Sequence, residues 1–151
     1  MNSRIHSGSS TWLKKSAGSS WKSWSGFAFE NICLKHTPQI KNALGIGAVN
    51  TQESIWRYAP ANGESGAQID LLIDRQDSCI NICEMKFSVA EFTIDKTYAG
   101  ELKNKQEVFK AKSKTKKTLF LTMITTYGAK QNINYLGLVQ PDLKMDILFL
   151  E

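Results

Sequence analysis

The chain has 151 residues, 42% of them hydrophobic and 22% charged, which suits a single domain around one apolar core. No apolar run approaches the ~20 residues needed to span a bilayer, and residues 1–26 lack a signal-peptide core, so a membrane partner is not expected and a cytoplasmic location is the default expectation. The net charge of +5 and pI of about 9.1 suit a nucleic-acid partner without identifying one.

Residues 1–20 contain GSS twice, with Lys14 and Lys15 between, and are expected to form a flexible arm or linker before a domain spanning 21–151. Trp12, Trp21 and Trp24 argue against simple disorder there. Residues 27–36 (FAFENICLKH) are predicted to form a helix that is apolar on most sides and therefore buried. Thr37-Pro38 stops it, because the residue before proline avoids the helical region. Pro38 can open a second short helix, QIKNAL, with Gly45 as its stop.

Three strands are predicted next. They are residues 54–58 (SIWRY), 67–73 (AQIDLLI) and 79–87 (CINICEMKF), the last two joined by a turn over 74–78. Asp95 reads as the N-cap of a helix reaching to about Ala111, with Tyr98, Ala99, Leu102 and Phe109 on one face. Residues 119–124 (LFLTMI) and 135–139 (YLGLV) are predicted strands, and residues 145–150 a last strand or turn. The expected fold is α/β, a central mixed sheet flanked by helices in α-β-β-β-α-β order. There is no phosphate-binding G-x-x-x-x-G-K-[ST] loop, so an ATPase of that kind is not expected in this chain.

Cys33, Cys79 and Cys83 are odd in number and form no Cys-x-x-Cys pair, so they are expected to be reduced and buried. His6 and His36 are the two histidines, and His6 falls in the expected arm, which argues against a histidine triad.

The chemistry concentrates in the central hairpin. A short turn near Asp77 places Asp70 opposite Glu84, and directly opposed residues share a face with Cβ atoms roughly 4.5–5.5 Å apart. Lys86, two residues beyond Glu84, points to that face as well. Two carboxylates held so close repel, and either a cation or a proton must relieve them. A divalent metal with oxygen ligands does so, with Mg²⁺ (or Mn²⁺) keeping waters for chemistry. Lys86 could then orient or deprotonate the attacking water, or stabilise developing charge. Glu30 sits on the predicted first helix in line with Phe27 and Leu34, and a carboxylate there needs a partner, the same metal among the choices. The competing reading is a structural salt bridge, with Arg57 or Arg75 pairing the Glu84/Lys86 side chains.

Between residues 96 and 117 stand eight lysines against Glu101 and Glu107. Lys96, Lys103, Lys105, Lys110 and Lys114 are candidate phosphate contacts for nucleic acid, although a solvated helix face would look the same.

The ordered segments GFAFE, QIKNALGI, GAQIDLLIDR, ICEMKF and TLFLTMITTYG resemble the C-terminal domain of a group of bacterial AAA-type ATPases, over about residues 24–149. That domain belongs to the PD-(D/E)XK nuclease-like superfamily. The resemblance implies a restriction-endonuclease-like core and metal-dependent hydrolysis of DNA. It implies Asp70, Glu84 and the Met85 backbone carbonyl as metal ligands, Lys86 as the catalytic lysine and Glu30 as the first-helix acid. It also implies Gln106 or Lys105 as accessory residues, and an ATPase module in the full-length protein or as a partner. Ile69 stands where the superfamily pattern has proline, and the ending MDILFLE departs from the pattern, which has a second acid after Asp146. The alternative is a catalytically silent module of the same fold that binds DNA or protein for the ATPase.

Overall fold

The computed structural model describes residues 18–151. Most of the expected arm, with His6 and Trp12, lies outside the described residues. Helix α1 (Ser19–Lys35) begins before the segment predicted for it, and Trp21 and Trp24 stack within it, ring centroids 5.4 Å apart. The helix is not buried all round. Ser25, Phe29 and Cys33, four residues apart, form its buried stripe, whereas Phe27 and Ile32 are exposed. Only one side of α1 meets the sheet, so its other apolar residues are left outside. Helix α2 (Thr37–Ala43) follows at once with Pro38 in its first turn. Gly45 then takes φ +72°, which glycine adopts freely.

Strands β1 (Thr51–Tyr58), β2 (Ala67–Arg75) and β3 (Cys79–Lys86) form an antiparallel meander. Helix α3 (Lys96–Ser113) then crosses over to β4 (Thr118–Thr125), which is parallel to β3. Strand β5 (Val139–Lys144) pairs parallel to β4 and completes a five-stranded mixed sheet in the order β1-β2-β3-β4-β5. The α/β architecture is thus present, with helices on both faces. Among the described residues no helix is long and apolar enough to cross a membrane.

Two apolar clusters divide the interior. Leu72, Ile80, Ile82, Leu121 and Met123 pack under Ala99, Leu102 and Phe109 of α3. Leu71, Ile73, Cys83, Met85 and Ile124 pack under Phe29, Cys33 and Ile40 of α1 and α2. Cys33 and Cys83 are buried free thiols and Cys79 is half-buried and free. Burial pushes the Cys33 thiol up to about 12, with help from the Asp70 and Glu30 charges, so it is inert near neutrality.

The last third departs from expectation. Residues 135–139 are not a strand. A single helical turn, α4 (Ile133–Leu136), starts at Asn132, whose side chain accepts the Tyr135 N–H at 2.9 Å. The strand starts only at Val139, where Val139 and Leu143 are buried beside β4. Pro141 is tolerated because β5 is an edge strand. Residues Met145–Phe149 form a 3₁₀ turn that buries Leu148 rather than a further strand.

Candidate metal centre

Strands β2 and β3 pair in the anticipated register, Leu71 with Cys83 through Asp74 with Ile80. The paired ladder ends at Leu71–Cys83, one step before Asp70 and Glu84 would meet. Asp70 instead turns its Oδ2 to accept the Met85 backbone N–H at 2.9 Å. In a strand, a residue's N–H and C=O point to the same edge, so the Met85 carbonyl is directed toward the Asp70 side.

A bulge explains this placement. Ser54 pairs with Leu72 but Trp56 with Ile69, so Asp70 and Leu71 together oppose Ile55. Strict alternation would put residues 69, 71 and 73 on one face. Ile69 and Leu72 instead share the α3-side cluster, while Leu71 and Ile73 lie in the α1-side cluster. Asp70 therefore sits where the alternation slips, between the two faces. Its charge raises the pKa of Glu30 and Cys33 on the α1 side, and of Glu84 and Tyr98 on the α3 side.

Glu84 is 1% exposed. Burial first, then the Asp70 charge, pushes its carboxyl up to about 7 against the opposing pull of Lys105 and Lys86. Its Oε2 accepts from Lys105 Nζ at 2.8 Å, while its Oε1 is buried with no hydrogen-bond partner. Glu30, half-buried on α1, is also raised, by burial and then Asp70, with Lys86 opposing. Lys86 lies 5.2 Å from the centroid of the Tyr98 ring, a cation–π contact that fixes its stem over α3. The Tyr98 hydroxyl is a second buried oxygen without a partner.

The charges of Asp70 and Lys86 thus act both on Glu30 from α1 and on Glu84 from β3, around the end of the split hairpin. Neither Arg57 nor Arg75 pairs Glu84. Arg57 bonds Gln68, and Arg75 bonds Asp77 and Asn81. The ion pair falls to Lys105, which the sequence offered as a phosphate contact and, through the resemblance, as an accessory residue, but not as the partner of Glu84. Its spacing from Leu102 and Phe109, three before and four after, marks it as flanking the buried stripe rather than opposite it. Gln106 lies away from the centre, lining a shallow cleft of about 490 Å³ with Lys110, Lys116 and Lys117.

Of the other candidate phosphate contacts, Lys96, Lys103 and Lys110 are exposed along α3 and Lys114 is exposed at its C-cap. Lys112 sits 4.6 Å from the Tyr58 ring centroid, and Lys117 bonds Asp74 at 2.6 Å.

Among the described residues no group of three or more His, Cys, Asp or Glu side chains is placed to hold a metal ion. The residues that would hold one are two carboxylates, Asp70 and Glu84, with the adjacent Met85 backbone carbonyl. That set fits Mg²⁺, which binds through one or two carboxylates and keeps its waters. The unpartnered Glu84 Oε1 is the observation that fits a cation best, since a buried carboxylate oxygen without a partner is costly. The chain matches no family model, no curated protein and no solved structure.

Proposed function

We propose that the protein is a divalent-metal-dependent phosphodiesterase acting on DNA, with a PD-(D/E)XK-type site on a restriction-endonuclease-like core. The observation that carries this reading is a buried Glu84 oxygen left unpaired beside the Asp70–Met85 bond, where β2 and β3 part, within reach of the Asp70 and Lys86 charges. Asp70, Glu84 and the Met85 carbonyl would hold Mg²⁺ or Mn²⁺. When bound, the cation supplies Lewis-acid stabilisation of phosphoryl charge. Lys86, steadied by the Tyr98 ring, orients the attacking water or meets the charge that develops on the phosphate. Glu30 supplies a further carboxylate from α1 that can accept a proton near the same spot.

The exposed lysines support a nucleic-acid substrate. Lys103 and Lys110 are seven residues apart on α3, about 10 Å, and Lys114 caps its C-terminus, a spread that reaches more than one phosphate. The resemblance to the C-terminal domains of AAA-type ATPases adds an ATPase module as partner.

A silent module that binds DNA or protein for such an ATPase is the second reading. The Lys105–Glu84 pair favours it, because a lysine neutralises the acid without a metal. Incubation with duplex, junction and single-stranded DNA, and with RNA, in Mg²⁺ or Mn²⁺ decides between them, with Lys86→Ala alongside. The enzyme reading expects metal-dependent cleavage that Lys86→Ala abolishes. Failure of the wild type to cleave any form favours the silent module.

A further inference from the structure

Glu84 is held by one cation from outside its own strand. Lys105 reaches it from α3, its Nζ 2.8 Å from Oε2, with the lysine side chain 22% exposed and the glutamate side chain 2% exposed. This asymmetry has a physical consequence. A buried carboxylate without a counter-charge is strongly unfavourable. Lys105 is therefore what lets the metal-free chain keep an ionised Glu84 in its interior. The lysine itself needs no such help, because its flexible stem opens toward water and can return the ammonium there.

The pairing is also incomplete. Lys105 satisfies Oε2 and leaves Oε1 bare, with Asp70 nearby as a second negative charge. Lys86 acts on Glu84 only through its charge, so among the described residues Lys105 is the one lysine bonded to this carboxylate, and it covers a single oxygen. A divalent cation serving both carboxylates would lie within a few ångströms of the Lys105 ammonium, and like charges so placed in a poorly solvated site repel strongly.

We propose that Lys105 is a tethered stand-in cation, which occupies Glu84 in the metal-free protein and must be displaced for a divalent metal to bind. This rests on the metal-centre reading above and adds to it a built-in competitor. Metal binding would then release the Lys105 ammonium toward solvent, at the mouth of the site.

The test uses Mn²⁺ alone as the probe, with no nucleic acid. Calorimetric Mn²⁺ titrations compare the wild type with Lys105→Met, Lys105→Gln and the exposed control Lys35→Met. Melting curves with and without Mn²⁺ are recorded for all four. Removing the competitor should tighten Mn²⁺ binding about tenfold in both Lys105 variants and leave Lys35→Met unchanged. Without metal the two Lys105 variants should melt earlier at pH 8, and Mn²⁺ should raise their melting point more than the wild type's. If Lys105→Met does not fold, Lys105→Gln, which keeps a hydrogen-bond donor, carries the comparison. Binding in the Lys105 variants with none in the wild type also supports the proposal. Equal or weaker binding in those variants beside a binding wild type overturns the tethered-cation proposal and leaves the metal centre standing. No Mn²⁺ binding by any folded variant overturns both.

Discussion

The Asp70 carboxylate accepts the Met85 backbone N–H at 2.9 Å, taking the place of a ladder partner just where β2 and β3 part. The side chain thereby becomes both a structural acceptor and a charge facing Glu84. This dual role separates what a charge-removing substitution should do from what a shape-changing one should do.

Asp70→Asn keeps an oxygen that can accept from Met85, so the fold should survive. Divalent-metal binding should weaken by more than the roughly tenfold that loss of an outer partner alone tends to cost. The metal-free protein should melt slightly higher, because Glu30 and Glu84 no longer face a third negative charge. Mn²⁺ calorimetry with parallel melts checks both signs. A metal affinity equal to wild type would remove Asp70 from the ligand set.

Glu84 makes stability depend on pH. Its folded pKa of about 7 lies above the ordinary 4.5, so the buried carboxyl prefers its proton. The stability it contributes is fully present below about 4.5 and is lost as pH rises through about 7. Glu30 is shifted in the same direction. The metal-free protein should therefore be more stable at pH 5 than at pH 8, by up to roughly 3 kcal/mol from Glu84. Glu84→Gln should flatten that dependence. Saturating Mn²⁺ should reverse it, since protons and metal compete for the same carboxylate. Chemical denaturation at several pH values, with and without Mn²⁺, tests each sign.

Salt should reveal whether the α3 lysines meet phosphates. DNA binding measured by anisotropy should weaken steeply as salt rises. Each of Lys103→Ala, Lys110→Ala and Lys114→Ala should reduce the log–log slope by about one while changing sequence preference little. Affinity that is flat from low to high salt would leave these lysines as a solvated helix face.

Asp95 anchors the helix that carries Tyr98 and Lys105. Its Oδ1 accepts the Tyr98 N–H at 2.7 Å, a side-chain N-cap. Asp95→Ala should cost about 1 kcal/mol and lower the melting temperature by roughly 2–4 °C. Asp95→Ser should restore most of the loss, because a hydroxyl can accept the same bond. A melt unchanged in Asp95→Ala would show that packing of Leu102 and Phe109, not the cap, holds this end.

Several features were legible in the residues alone. The β2–β3 register followed from a short turn between two apolar runs, because hairpin pairing is local and has a period of two. The Asp95 cap, the Ala99–Leu102–Phe109 stripe and the buried thiols likewise depend on near neighbours or simple burial. The region after β4 was misread for a local reason in turn. YLGLV has strand-like composition, yet Asn132 caps a helical turn there and sheet pairing starts only at Val139. Two decisive features of the site needed the assembled fold. The bulge at Asp70 arises from how β1 pairs with β2, so no pattern within β2 announces it. The Lys105 partner of Glu84 comes from 21 residues further along, across a crossover helix whose rotation is set by packing on the sheet. Among eight lysines between residues 96 and 117, spacing puts Lys105 beside the buried stripe, but nothing in the sequence pairs it with Glu84. Tertiary packing does, because a buried carboxylate selects whichever cation the neighbouring helix can bring within reach.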